Sequence, residues 1–96
     1  FAFAAPRPNP ANSGRATSFT LAVPGSAAPG TRVRLDLYTV TGQRVRTLVD
    51  VPAVPGPLHV GWDGADDAGR TVAPGIYLAR ATMAGENLER KVVRTR

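Results

Sequence analysis

Cysteine is absent from this chain of 96 residues, and histidine and lysine occur once each, as His59 and Lys91. Without cysteine there is no disulfide staple, no thiolate metal ligand and no cysteine nucleophile. One histidine cannot build a multi-histidine metal site within the chain. Aromatic residues make up only 6% of the chain and fall at core-phase positions, so stacking on nucleic-acid bases is unsupported. No apolar run approaches the roughly 18 residues of a membrane span. No Gly-x-Ser-x-Gly elbow surrounds any serine, and Pro29-Gly30 lacks the lysine and helix of a phosphate-binding loop. These absences point away from an enzyme and from any bound cofactor or metal.

What is present describes one small domain. The length suits a single domain, whose expected stability is about 5–14 kcal/mol at roughly 0.05–0.15 kcal/mol per residue. Hydrophobic residues at 43% against 20% charged argue against disorder for most of the chain. Ten glycines and nine prolines suit short strands and many turns. The chain opens on Phe1 rather than methionine, so it reads as a processed product or a piece of something longer, with residues 1–5 the frayed end of a linker or the remnant of a leader. Residues 1–14, with Pro6, Pro8 and Pro10, are expected as an extended linker or lead-in, and 15–96 as the domain.

Alternation then predicts a series of strands. Phe19, Leu21 and Val23 mark the first, and Val33, Leu35 and Leu37 the second. Thr41-Gly42-Gln43 is a hairpin connection, and Val45, Thr47 and Val49 mark the returning strand. Leu58, Val60 and Trp62 mark a fourth. In the segment from Ile76 to Met83, Tyr77, Ala79, Ala81 and Met83 share one face while Ile76 and Leu78 lie on the other. A strand apolar on both faces is expected to be central and covered on both sides for part of its length. Leu88 to Thr95 closes the series. No helical periodicity interrupts it, so the expected fold is an all-β, antiparallel immunoglobulin-like sandwich of about seven strands. Trp62 is expected between the sheets, and Tyr77 at a tyrosine-corner position with its hydroxyl on loop backbone.

Two clusters of charge stand out. Asp63, Asp66 and Asp67 suit a glycine-rich turn or a weak calcium site, although neither the spacing nor a closing glutamate matches a helix-flanked calcium loop. Arg32 and Arg34 on one strand face Arg44 and Arg46 on its hairpin partner, all on the polar phase. That face is a candidate surface for an anionic glycan or lipid, or a solvated edge kept unpaired by charge. Lys91 and Arg94 belong to a second basic stretch at the C-terminal end and complete the candidate partner-binding residues.

Three ordered segments carry a family resemblance: Pro8-Asn9-Pro10, the hairpin Leu37 to Val45, and the run Trp62 to Tyr77, followed by Gly85 and Lys91-Val92-Val93. Together they resemble the FlgD-like immunoglobulin-like domains and the related C-terminal sorting domains of the bacterial type IX secretion system. The resemblance implies a non-catalytic domain of an exported bacterial protein, secreted or at the cell surface. Its partner would be the outer-membrane translocon or the protein to which it is joined. In the hook-capping branch such a domain helps build a scaffold on the flagellar hook. The long Trp62–Tyr77 connection looks more like that branch than the sorting version. The hairpin around Gly42 and the last strand, Leu88 to Arg96, are the expected contact elements, the latter through strand addition at an open edge.

Overall fold

A computed structural model describes residues 1–12 and 14–96. Seven strands form two antiparallel sheets: β1 (Ala2–Phe3), β2 (Thr17–Val23), β3 (Arg32–Thr39), β4 (Arg44–Pro52), β5 (Gly56–Trp62), β6 (Gly75–Met83) and β7 (Glu86–Arg94). The smaller sheet runs β1-β2-β5 and the larger β4-β3-β6-β7. This is the immunoglobulin-like sandwich that the alternation predicts.

The period-two pattern decides which side chains meet. Phe19, Leu21 and Val23 from β2 face Val33, Leu35 and Leu37 from β3 and Tyr77, Ala79 and Ala81 from β6, all buried. Trp62, the largest fully buried side chain, ends β5 and stands edge-on to Tyr77, with ring centroids 5.6 Å apart. The alanines opposite it leave room for these bulky rings, so large and small residues interlock across the core.

The first residues depart from a free lead-in. Phe3 is buried, pairs with Leu21 and lies 5.9 Å from the Phe19 ring. Its apolar area gains more from the core than the extended chain loses by docking. Residues 1–12 then follow the sandwich edge: Arg7 bridges Ser18, and Ala11 bridges Arg94 in parallel. The frayed end expected at residues 1–5 is therefore part of the sheet.

This path closes β7. The Asn9 amide donates to the Lys91 carbonyl at 2.8 Å, and its carbonyl oxygen accepts from the Val93 amide at 2.8 Å. One side chain thus answers the strand edge as a backbone peptide would. Ala11 continues the ladder through Val93 and Thr95. The last strand is not the open edge expected from sequence, because the lead-in already occupies its second side from Lys91 onward. Replacing Asn9 by alanine is expected to cost about 1–2 kcal/mol by removing both bonds. Uncapping the edge should also promote self-association, seen as concentration-dependent sedimentation.

At the opposite edge, β4 carries two register shifts, leaving Leu48 and Val45 as extra residues against β3. Bulges twist an edge strand and blunt it as a template for further pairing. They also let Val45, Leu48 and Val49 all pack against the core while Thr47 turns outward.

Candidate functional site

The end of the sandwich at the β3–β4 hairpin is where the sequence motifs converge. Gly42 takes a left-handed conformation, φ 94°, and donates to the Thr39 carbonyl at 3.0 Å, which makes the tight reversal. Beside it the long β5–β6 connection folds on itself. Asp63 accepts from the Ala65 amide at 3.0 Å, and Asp66 accepts from the amides of Ala68 and Arg70. Asp67 reaches across to β4, its amide donating to the Val45 carbonyl and its carboxylate accepting from the Thr47 amide. The connection therefore caps β4 much as Asn9 caps β7.

These bonds settle what the aspartates are doing in the fold. Each spends an oxygen on holding the loop or its neighbours, the role the turn reading predicts. Among the described residues, no group of three or more His, Asp or Glu side chains is arranged to hold a metal ion. An open cleft of about 430 Å³ lies between Gln43 and Arg44 of the hairpin and Asp66, Asp67 and Val72 of the connection. Tyr77 forms part of its floor, with the phenol donating to the Ala73 carbonyl, the loop-backbone bond of a tyrosine corner.

Burial pushes the Tyr77 phenol above its ordinary pKa of 10.0, and the nearby Arg94 charge offsets part of that rise. Because the folded state holds this proton more tightly, its contribution to stability is full below the unfolded pKa of about 10. It is lost as pH rises through the folded value. Tyr77→Phe is expected to lower stability by about 1 kcal/mol at neutral pH and to flatten the fall in stability above pH 10, measured by urea titration across that range.

The arginine face is different from its sequence reading. Arg32 donates to the Asp50 carboxylate at 2.9 Å, and Arg34 to the buried Asp36 carboxylate at 2.8 Å. The Asp36 hydrogen bond and charge raise the Arg34 pKa further above its ordinary value. Arg46 does not share the outward phase. The register shift of β4 sets it opposite the buried Leu37, and from there it reaches Asp63 at 3.1 Å. Of the four, Arg44 alone has no ion-pair or hydrogen-bond partner among the described residues. The structure thus brings Arg32 and Arg34 into a neutralised network and diverts Arg46 to the loop.

The two C-terminal candidates also separate. Lys91 is exposed on the outer face of β7. Arg94 is buried at 4% exposure: its guanidinium lies 5.3 Å from the centre of the Trp62 ring and donates to the Arg15 carbonyl at 2.7 Å. It shares the inward phase of Val92 and is a core strut rather than a partner contact. The signal was present in that i, i+2 spacing, which its charge overrode. The edge caps Asn9 and Asp67 are the other residues on which this architecture turns.

A family model described as FlgD Ig-like domain matches residues 9–87.

The chain belongs to the FlgD Ig-like domain family.

No curated protein and no solved structure matches it. The FlgD Ig-like match opens at Asn9, the residue that closes β7, and takes in the hairpin and the whole β5–β6 connection. The matched span thus includes the segments that shape this end of the domain. No helix among the described residues is long and apolar enough to cross a membrane.

Proposed function

We propose that this FlgD Ig-like domain is a non-catalytic structural and interaction module of an exported bacterial protein, retained in an assembly outside the cell. The observation that carries the reading is the self-bonded β5–β6 connection. Asp63, Asp66 and Asp67 are engaged by loop amides, by the β4 edge and by Arg46, so the acid–base groups near the cleft serve the fold. A module of this kind acts by presenting a surface, as FlgD-type domains do in a scaffold on the flagellar hook.

The second reading is a type IX sorting domain, which directs secretion or cell-surface attachment and is then removed. The family assignment and the sandwich are compatible with it. The closed β7 edge counts against the simplest version, recognition by strand addition at Leu88–Arg96.

Intact mass and terminal peptide sequencing of the exported parent protein distinguish the two. Presence of the domain in the mature product supports the structural module. Its removal during export, together with failure of export when residues 8–96 are deleted, overturns that reading in favour of sorting. A shorter deletion, Lys91–Arg96, takes away the buried Val92 and Arg94 and would unfold the domain whatever its role.

A further inference from the structure

Strand β6 is expected from sequence to be covered on both sides for part of its length; its inner face is buried, and its outer face is half-buried at Leu78 and open at Ile76. Tyr77, Ala79, Ala81 and Met83 point into the core, while Ile76 on the outer face stays 47% exposed. Its cross-strand neighbour there is Val93. Val40, in the turn that follows β3, is 63% exposed. Next to them a single row crosses all four strands of the larger sheet. Arg44 pairs with Tyr38, Tyr38 with Leu78, and Leu78 with Lys91. The row therefore has an apolar middle and a cation at each end.

The charges on this face are unequally satisfied. In the adjoining row Arg80 bonds Glu89 at 3.1 Å while its guanidinium lies 4.9 Å from the centre of the Tyr38 ring. Asp36 is taken by Arg34 and Thr47. Arg44 and Lys91 have no carboxylate partner among the described residues. Three inter-strand steps separate them, about 14 Å at 4.8 Å per step. An apolar patch between two unpaired cations asks for apolar side chains flanked by carboxylates.

We propose that the outer face of the four-stranded sheet, centred on Tyr38, Ile76, Leu78 and Val93 and flanked by Arg44 and Lys91, is a docking surface for an acidic protein surface with an apolar centre. A second copy of this chain is a poor occupant, because a symmetric pairing of this face brings its own cations together. A membrane is a poorer occupant: Tyr38, Ile76, Leu78 and Val93 lie on strands, and of the apolar residues named only Val40 is on the hairpin turn. The inference holds whether the domain is retained or removed, since it concerns the face and not the fate of the domain.

The test is selection of a phage-displayed library of random twelve-residue peptides on the immobilised 96-residue chain, with synthetic versions of the enriched peptides titrated in solution. Enriched peptides are expected to combine Asp or Glu with apolar residues. They should bind about tenfold or more weakly to Ile76→Ser/Val93→Thr, and amide shifts on binding should map to β6 and β7. Selection on Arg44→Glu/Lys91→Glu should reverse the preferred charge, while circular dichroism shows both variants folded. Peptides without an acidic bias, undiminished binding to the variants, or no enrichment would overturn the proposal. So would self-association of the wild-type chain through this face, or co-flotation with phosphatidylglycerol vesicles that the Ile76→Ser/Val93→Thr change abolishes.

Discussion

Trp62→Ala is expected to cost about 3–5 kcal/mol, the range for removing a large aromatic side chain from a packed core. Trp62 is fully buried, and its indole N–H donates to the Ala65 carbonyl at 2.8 Å, which fastens the start of the β5–β6 connection. The substitution leaves a cavity against Tyr77 and frees that carbonyl. It also strips the apolar platform beneath the Arg94 guanidinium. Against an expected total of about 5–14 kcal/mol, such a loss takes most of the stability at the low end of the range. Far-UV circular dichroism in urea measures it, since the variant loses its only indole fluorophore. A midpoint within experimental error of the wild type would show that burial of Trp62 does not hold the core together.

The second large effect is at a residue with no side chain. Gly64 is buried with φ 84°, and a Cβ placed there would come within van der Waals overlap of the Arg94 guanidinium. A flexible arginine on a surface would simply swing away. Arg94 has little room to do so, held by the Arg15 carbonyl and stacked on Trp62. Gly64→Ala thus combines left-handed backbone strain with displacement of a buried cation, at an expected cost of about 2–4 kcal/mol. For a domain this size that corresponds to a fall in Tm of roughly 10–25 °C. Arg94→Ala should itself destabilise, through lost stacking and a lost charged hydrogen bond. The double variant should be less damaged than the sum of the two, because the clash needs both partners. Strict additivity in thermal denaturation would rule out the contact as the cause.

Much of the fold was legible because alternation is a local signal that burial enforces. Phe19-Thr20-Leu21-Ala22-Val23 has only one phase that hides its large residues, and β2 adopts it. β3 follows the same logic with Val33, Leu35 and Leu37. The tyrosine corner was legible because a Pro-Gly turn ahead of Tyr77 leaves its hydroxyl near loop backbone. Register shifts were not legible, since a bulge arises from how two strands fit and not from the pattern of either one. Arg46 therefore read as a surface cation, although the fold directs it to Asp63. The docking of Phe3 was hidden for a similar reason. Alternate prolines announce an extended path but do not say what lies alongside it.

The candidate surface was legible only in part. Charge drew attention to Arg32, Arg34, Arg44 and Arg46, but which of them stays unpaired depends on the placement of Asp36, Asp50 and Asp63. The doubly apolar stretch Ile76–Leu78 was read for burial and not for a surface. It implied a strand covered on both sides for part of its length; the domain buries the Tyr77 face, half-buries Leu78 and leaves Ile76 exposed.

The lead-in clasp on β7 has a mechanical meaning. Residues 9–11 and 91–95 run in parallel, joined by the two Asn9 bonds and the two through Ala11. A tension that enters through the lead-in and leaves through β7 pulls these segments in opposite directions along their length. The bonds are then loaded in shear and must fail together, whereas a hairpin pulled open from its ends gives way one rung at a time. Tethered at both ends, the domain would resist extension first where Phe3 docks on β2 and then at the clasp, before load reached the rest of the larger sheet.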